Sequence, residues 1–452
     1  MTTREFLSAP ELLSTVTQPG LEVFQVTTAP EVASNVFYNY HQAFEPTSRF
    51  VLINRTAKDG ATLWLCDLDD RFALAPVTGA GEAIAGGHQG MSFSPDGQWI
   101  WYSLLAGGRL ELRRRALAGA SAETVFSLAL ARPEFGGRRI FGARWLSFSH
   151  DGRRLLCVVT IEGATKYYSV AILTFDMAKM ALHTVFETGP RDWNNKSQYA
   201  PCLGPRGEYL IGVCDGYSQA YIDAAGQWHC DRLPEGEAGG SDYLVDEHGT
   251  VRYAYPVGRD RPCQNVSHWA WFGRSLAKVF HCDAFDTAPH WRGAMLLAEP
   301  VPADETTRHL GRHLPGGRQI ELTRHITRPD VYHICAGWEG QHLICDTMSL
   351  GYGDANAPTR YLYGCTVRRD ADGPYVEPRY ILTPYSSWSP YWCECLPCFT
   401  PNRKWILFNS DYPGVNGYKG QRHTAQVFAV RGFEFAAHRI AEDARAEEGR
   451  IS

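Results

Sequence analysis

The stretch Gly90–Ser103 reads GMSFSPDGQWIWYS and predicts a strand, a tight turn and a returning strand. The four residues from Ser94 to Gly97 favour the turn, because proline presets φ and glycine tolerates a positive φ. The run Trp99–Tyr102 is made of residues that favour strands. One hairpin of this kind cannot bury its apolar face alone, so the fold depends on whether the pattern recurs.

The pattern recurs along the whole chain. Close copies are SFSHDGRRLLCV at Ser147–Val158 and FTPNRKWILFNS at Phe399–Ser410. Four weaker copies begin at Ala43, Cys202, Trp271 and Ala336. Successive turns lie roughly 50–65 residues apart, which leaves room for four strands and their loops. The sequence therefore predicts an all-β, seven-bladed β-propeller in a single domain, in preference to a β-sandwich with coincidental hairpins.

This spacing divides the chain into a leader, a propeller and a tail. We expect residues 1–35 to form a leader, with a helix or flexible stretch over 1–20 and a ring-closing strand at Gly20–Thr27. The propeller is expected over 36–431 and a charged, helix-prone tail over 432–452. The seven blades are expected at about 36–80, 84–132, 138–190, 194–258, 264–300, 318–382 and 385–431.

Composition limits the partners that we expect. The 44 basic and 49 acidic residues are scattered and give a net charge of −5, so no basic stripe suggests nucleic acid. No window approaches 18 apolar residues and the N-terminus lacks a signal pattern, which predicts a cytoplasmic protein without a membrane partner. The 13 cysteines are odd in number and spread out, so we expect reduced thiols. The expected state is a monomer or a homodimer.

Polar residues cluster just before the turns, where the innermost strand of each blade lines the central channel of a propeller. Four blades place a histidine there, namely His41, His88, His268 and His333. Further polar side chains at these places are Tyr40, Tyr199 and Gln264. A single histidine in a channel is more often hydrogen-bonded than functional, but four at equivalent places favour a site.

A metal site is predicted between blades six and seven. Alternate residues of a strand face the same side, so His333 and Cys335 should share a face, as should Cys393 and Cys395. One imidazole and several thiolates suit the tetrahedral geometry of Zn²⁺. The alternative is that the cysteines of this region are small core residues.

The chain resembles the oligogalacturonate lyases, cytoplasmic seven-bladed propellers that cleave short pectin fragments. VSHWAW at Val266–Trp271 resembles the T-H-E-x-W motif of that family, which implies that His268 is the catalytic base. YHICAGWEG at Tyr332–Gly340 resembles S-H-L-x-S-x-x-x-G, which implies that His333 binds a divalent metal, Mn²⁺ in the family. CFTPNRKWILFNSD at Cys398–Asp411 resembles the closing segment of the family.

The chain departs from the family where Q-x-x-H-P-H-P supplies further metal ligands. The corresponding stretch, 391–397, reads YWCECLP. Aligned without a gap, the two histidines become Glu394 and Leu396. A shift of one residue makes them Cys393 and Cys395, which we prefer, and which changes the expected metal from Mn²⁺ towards Zn²⁺. The position of the family arginine falls near Ser241, so this arginine is either missing or replaced by Arg259 or Arg261.

The resemblance implies cleavage of uronate-containing oligosaccharides by metal-assisted β-elimination. Removing the C5 proton builds charge on the neighbouring carboxylate, which a metal or an arginine must neutralise. A neutral histidine with a pKa near 6.5 suits the base. The expected catalytic residues are therefore His268, Arg259 and Tyr199. The expected substrate-binding residues are His41, His88, Tyr40 and Gln264, and the expected metal ligands are His333, Cys393, Cys395 and Cys335. The alternative is a non-catalytic TolB-like propeller that acts as a binding or scaffold module.

Overall fold

The turn motif at the centre of the sequence folds as a hairpin. Met91–Phe93 and Trp99–Ala106 pair antiparallel, and the Gly97 amide donates a hydrogen bond to the Ser94 carbonyl at 2.8 Å. Gly97 has a φ of 71°, and a Cβ at this position would lie 2.8 Å from the ring of Pro46. Glycine therefore satisfies both the turn and the close approach of the neighbouring motif.

Two further copies of the motif close in the same way. The Gly152 amide donates to the Ser149 carbonyl at 3.0 Å, and the Arg403 amide donates to the Thr400 carbonyl at 2.7 Å. The fourth residue has a positive φ in each, 71° at Gly152 and 61° at Arg403. The sequence repeat is thus a repeat of backbone geometry.

The computed structural model shows an all-β, seven-bladed propeller. It describes residues 2–15, 17–36, 41–58, 60–85, 90–119, 121–189, 197–214, 218–223, 228–232, 242–256, 268–281, 293–308, 314–327, 330–347, 361–386, 393–412 and 424–435. The helical elements in these ranges are short 3-10 turns at Pro10–Leu12, His41–Ala43 and Pro133–Phe135. None of the helices described is long and apolar enough to cross a membrane.

Blades one to three are regular four-stranded antiparallel sheets. Two short strands precede them, β1 (Leu7–Ser8) and β2 (Glu22–Gln25). Blade one contains β3 (Ala33–Asn35), β4 (Phe50–Ala57), β5 (Gly60–Asp67) and β6 (Ala73–Pro76). Blade two contains β7 (Met91–Phe93), β8 (Trp99–Ala106), β9 (Arg109–Ala116) and β10 (Ala122–Ala129). Blade three contains β11 (Ile140–Phe148), β12 (Arg154–Ile161), β13 (Ser169–Asp176) and β14 (Ala181–Gly189).

Blades four to seven have shorter strands and additions at their edges. Blade four contains β15 (Ser197–Tyr199), β16 (Leu210–Cys214), β19 (Asp242–Asp246), β20 (Val251–Ala254) and the edge strand β24 (Val301–Pro302), and a separate hairpin is made of β17 (Ser218–Ile222) and β18 (Trp228–Arg232). Blade five contains β21 (Trp269–Trp271), β22 (Lys278–His281), β23 (Met295–Ala298) and β25 (Gln319–Glu321). Blade six contains β26 (Val331–Ala336), β27 (His342–Thr347), β28 (Leu362–Asp370) and β29 (Gly373–Leu382). Blade seven contains β30 (Cys398–Phe399), β31 (Ile406–Ser410) and β32 (Gln426–Arg431).

The two ends of the chain meet in blade seven. Strand β2 pairs antiparallel with β32, with Val23 opposite Val430, and β1 pairs with the outer side of β2. An ion pair between Glu22 and Arg431 joins the same two strands. This pairing closes the ring, and it makes part of the 1–20 segment a strand where we expected a helix or a flexible stretch.

The border between blades five and six lies further along the chain than expected. Gln319–Glu321 pairs with β23, with Leu297 opposite Ile320, so the beginning of the expected sixth blade is the outer strand of the fifth. The start of the expected tail also packs on the propeller, because the ring of Phe435 lies 5.7 Å from that of Phe399. The tail residues 436–452 lie outside the described ranges.

The inner strands give the channel two distinct ends. Each inner strand begins at one end and reaches its turn motif at the other, so residues before the strands and residues after them lie apart. We call the end where the inner strands begin the entry mouth, and the end where the turn motifs lie the turn mouth. His268, which directly precedes β21, belongs to the entry mouth.

Candidate active site

Three histidines and one tyrosine lie together at the entry mouth. The ring of His268 lies 4.9 Å from that of His281, 5.0 Å from that of His333 and 4.4 Å from that of Tyr332. Tyr332 is also 4.4 Å from His333 and 4.9 Å from His281. We call these four residues the imidazole cluster. His268 is half-buried, while the other three side chains are buried.

Strand pairing explains how blades five and six assemble this cluster. In blade five Trp269 pairs with Phe280, so the flanking residues His268 and His281 stand opposite each other where the hairpin ends. In blade six the register between β26 and β27 shifts between Val331 and Ile334. Neighbouring side chains of a regular strand point to opposite faces. The irregularity allows the rings of Tyr332 and His333, which lie within it, both to join the cluster.

A buried carboxylate holds His333 in place. The Nδ1 atom of His333 donates a hydrogen bond to Asp346 Oδ2 at 2.7 Å, and the His333 amide donates to Oδ1 at 2.7 Å. Because Nδ1 is engaged, Nε2 is the ring atom that faces the site. A histidine held in this way through its other nitrogen is typical of metal ligands.

Glu394 of blade seven places a second carboxylate beside the other ring nitrogen of His333. Its Oε2 lies 3.7 Å from His333 Nε2, and its side chain is 26% exposed, so it faces accessible space. Asn409 fixes the segment, because its Nδ2 donates to the Glu394 carbonyl at 3.1 Å and its backbone amide donates to the Cys395 carbonyl at 2.8 Å. The alignment without a gap therefore brings an oxygen ligand to His333.

The two cysteines around Glu394 do not share a strand face. Strand β30 begins only at Cys398, and Leu396 has a φ of 44°. The Cys393 thiol lies within hydrogen-bonding reach of Asp411, whereas the Cys395 thiol lies within reach of Asp346. The expected alternation applies to a strand, and Cys393 and Cys395 precede β30 rather than lie in it.

The predicted thiol ligands behave as core residues. Cys335, Cys393 and Cys395 are 1%, 1% and 0% exposed. Burial raises the pKa of Cys335 to about 12. It also raises the pKa of Cys393 and of Cys395 well above the usual value, with Asp411 and Asp346 adding to the rise. This burial matches the alternative interpretation, in which these cysteines are small core residues.

Within the described ranges, no group of three or more histidine, cysteine, aspartate or glutamate residues is arranged to hold a metal ion. The donors that do face one another are His333 Nε2 and the Glu394 carboxylate. Imidazole and carboxylate together suit divalent cations such as Mn²⁺ or Zn²⁺.

Tyr199 is not brought to the imidazole cluster. Its hydroxyl donates a hydrogen bond to Glu247 Oε1 at 3.0 Å, and Arg154 Nε donates to the same atom at 3.0 Å. Glu247 follows β19, the third strand of blade four, so the hydroxyl points away from the channel. Burial, followed by the charge of Glu247, raises the pKa of Tyr199 far above its usual value.

The remaining predicted residues are not described in side-chain detail. Tyr40, His88, Arg259 and Gln264 lie outside the described ranges, and His41 is described only as backbone in the 3-10 turn His41–Ala43.

Sequence reasoning missed His281, Tyr332 and Asp346. Tyr332 adjoins His333 in the very motif that drew attention to blade six, so its position was a usable signal. His281 and Asp346 carry no motif of their own. Only the pairing of β21 with β22 and of β26 with β27 brings them to the site.

Two solved structures match the architecture over nearly the whole chain. An oligogalacturonate lyase in complex with manganese superposes with a TM-score of 0.64 at 16% identity, covering 95% of this chain and 97% of that chain. An oligogalacturonate lyase from Vibrio parahaemolyticus superposes with a TM-score of 0.62 at 14% identity, covering 96% and 98%. TolB from Acinetobacter baumannii gives a TM-score of 0.33 at 13% identity, covering 85% and 80%. No family model and no curated protein matches the sequence. At 16% and 14% identity the similarity to the two lyases supports the propeller fold alone.

Proposed function

We propose that this protein is a lyase that cleaves uronate-containing oligosaccharides by β-elimination at the imidazole cluster. The observation that carries the proposal is the contact of His268 with His281, His333 and Tyr332, all with ring centroids within 5.0 Å. Several proton-transfer groups converge on one half-buried histidine at a channel mouth. The two oligogalacturonate lyases of the same fold support the choice of substrate class.

In the proposed reaction His268 acts as the base. Neutral imidazole removes the C5 proton of the uronate, the electrons form the C4–C5 double bond, and the C4–O bond breaks. Tyr332, whose ring lies 4.4 Å from that of His268, donates its hydroxyl proton to the leaving oxygen. His281 packs against both rings and fixes the orientation of His268.

The charge that develops on the substrate carboxylate needs a positive partner. His333 Nε2 and Glu394 are the residues that would hold a divalent metal, Mn²⁺ or Zn²⁺, with Asp346 orienting the imidazole. When bound, such an ion supplies the positive charge that stabilises the transition state. We assign Arg259 to the same carboxylate, and we assign His41, His88, Tyr40 and Gln264 to substrate binding, as the sequence suggests.

The direct test follows the ultraviolet absorbance of the unsaturated uronate that β-elimination leaves behind. The protein is incubated with oligogalacturonate, and the wild type is compared with His268→Ala. His325→Ala is the matched control, because that imidazole is 53% exposed and pairs with Asp370 on the outer edge of the propeller. We expect absorbance to rise with the wild type and the control but not with His268→Ala.

Two results would contradict the proposal. Wild-type protein that releases no unsaturated product from any uronate oligosaccharide is not a lyase of this class, and a binding or scaffold role then replaces it. Equal activity in wild type and His268→Ala, with circular dichroism showing both folded, removes His268 from the role of base.

We also propose a cytoplasmic location. The ten cysteines whose side chains the structure describes are free, and nine of them are buried. Free thiols in this part of the chain suit a reducing compartment. Fractionation of cells that produce the protein tests this, and recovery from a secreted fraction would contradict it.

A further inference from the structure

A cavity lies at the turn mouth, at the opposite end of the channel from the imidazole cluster. Its volume is about 580 Å³, a size that accommodates a small molecule. The turn motifs of all seven blades line it. In blade five Arg274 lies beyond β21 while His268 precedes it, so this cavity and the candidate active site sit at different ends of the same strands.

The side chain of Gln42 lines the cavity and bridges the blades. Its Nε2 donates to the Phe148 carbonyl at 2.9 Å, and the Phe148 amide donates to Oε1 at 2.8 Å. Ser92 Oγ donates to the same Oε1 at 3.0 Å. Blade two stands between blades one and three, so this bridge runs across the channel. Gln42 thus ties the inner strands of blades one, two and three together beside the cavity.

The charge of the cavity favours an anion. Arg274 is exposed and its guanidinium lies 5.7 Å from the ring centroid of Trp338. Among the residues described, no carboxylate pairs with Arg274, and none of those lining the cavity is acidic. His150 adds a second group that can carry positive charge. A guanidinium presents a planar fork of donors that matches a carboxylate.

The remaining residues that line the cavity favour a ligand with a flat apolar ring. The turns contribute the prolines Pro46, Pro95, Pro201 and Pro401. Leu203 is 41% exposed there, and Trp338 offers an aromatic face. The hydroxyls of Ser94 and Ser149 are already bound to the carboxylates of their own turns. A sugar acid would leave most of its hydroxyls unmatched against this wall, whereas an aromatic ring would not.

We propose that the turn mouth binds a small aromatic carboxylate, whose carboxylate pairs with Arg274 and whose ring lies against Trp338. The proposal does not depend on the lyase function, since the two sites share no residue. Its ligand enters from the side of the propeller opposite to the imidazole cluster.

Isothermal titration calorimetry with cinnamate tests the proposal on the full chain. Cinnamamide has the same aromatic ring without the negative charge. Galacturonate has the negative charge without an aromatic ring. We expect cinnamate to bind wild-type protein and the other two to bind at least about tenfold more weakly, as the loss of a charge-assisted hydrogen bond or of the ring contact implies.

Variants locate the binding at the turn mouth. Arg274→Gln and Trp338→Leu should each weaken cinnamate binding about tenfold or more. Arg153→Gln is the matched control, because Arg153 is 75% exposed on the turn of blade three but does not line the cavity. Thermal melting confirms that each variant is folded.

Each contrary result overturns the proposal. Absence of cinnamate binding, or equal binding of cinnamate and cinnamamide, would show that the cavity does not recognise an aromatic carboxylate. Preferential binding of galacturonate would show that the ligand of the cavity is a sugar acid instead. Unchanged cinnamate binding by Arg274→Gln moves the site away from the turn mouth.

Discussion

The imidazole of His333 and the carboxylate of Asp346 form a buried hydrogen-bonded pair, with Nδ1 and Oδ2 2.7 Å apart and each side chain 2% exposed. The same carboxylate also accepts a hydrogen bond from the His333 amide and lies within reach of the Cys395 thiol. The ring is therefore fixed with Nε2 towards Glu394, 3.7 Å away. This makes Asp346 a positioning residue that acts through His333.

Replacing Asp346 with asparagine tests that role. The variant keeps the size of the side chain but weakens the acceptor that orients Nδ1. Loss of such a partner typically lowers metal affinity or activity about 10–100-fold. We expect weaker Mn²⁺ binding by calorimetry and a lower kcat with little change in KM. Asp69→Asn, which removes an exposed ion pair with Lys404, should change neither, and equal metal affinity in Asp346→Asn and wild type would contradict the role.

Two neighbouring substitutions distinguish the two possible ligand sets of blade seven. Glu394→Gln removes the carboxylate that faces His333 Nε2, and we expect it to reduce the amount of bound divalent metal and the activity. Cys395→Ser preserves the shape of a residue that is 0% exposed, and we expect it to keep the metal. Elemental analysis of both purified variants provides the measurement. Loss of metal from Cys395→Ser alone would support Cys393 and Cys395 as the metal ligands instead of Glu394.

A buried ion pair between Lys278 and Asp242 joins blades four and five. The two side chains are 1% and 2% exposed, and the ammonium lies 3.5 Å from the ring centroid of Trp269. Burial lowers the pKa of Lys278 and outweighs the opposing effect of Asp242. Removing one partner leaves an uncompensated buried charge, which typically costs about 3–5 kcal/mol.

We therefore expect Asp242→Asn to lower the free energy of unfolding by that amount in urea denaturation. The double variant Lys278→Met with Asp242→Asn should recover part of the loss, because the lone buried ammonium is then gone. A single variant as stable as the wild type would show that the pair contributes no net stability.

The fold was predictable because its information is local. The sequence around Ser94–Gly97 specifies a turn by its proline and glycine, and each copy carries the same signal without reference to the rest of the chain. The border between blades five and six was not predictable in this way. Gln319–Glu321 becomes an outer strand only through its pairing with β23, which joins segments about twenty residues apart in the chain.

The site was predictable only in part, for the same reason. His268 and His333 stand out by motif, and the structure brings their rings within 5.0 Å. Asp346 and His281 depend on strand register, and register is a property of two segments rather than one. Cys393 and Cys395 misled because their spacing implies a common face only within a strand, and both residues precede β30.

The carboxylate of Asp370 makes the stability of the propeller depend on pH in the acid range. A hydrogen bond from His325 lowers the pKa of Asp370 to about 2, and Arg324 contributes in the same direction against the effect of burial. The folded pKa therefore lies below the ordinary value of 3.8, so the unfolded chain binds more protons between these two values. Stabilisation is complete above the ordinary value and is lost as pH falls through about 2.

Substitution of Asp370 with asparagine removes this proton linkage. We expect the melting temperature of Asp370→Asn to fall less steeply than that of the wild type between about pH 4 and about pH 2. Asp372→Asn is the matched control, because this exposed carboxylate makes no ion pair within the described ranges, and it should follow the wild-type curve. Parallel curves for Asp370→Asn and wild type would show that the acid dependence arises from other carboxylates, such as Asp304. Hydrogen bonds from Thr306 and Thr307 lower the pKa of Asp304 to about 2.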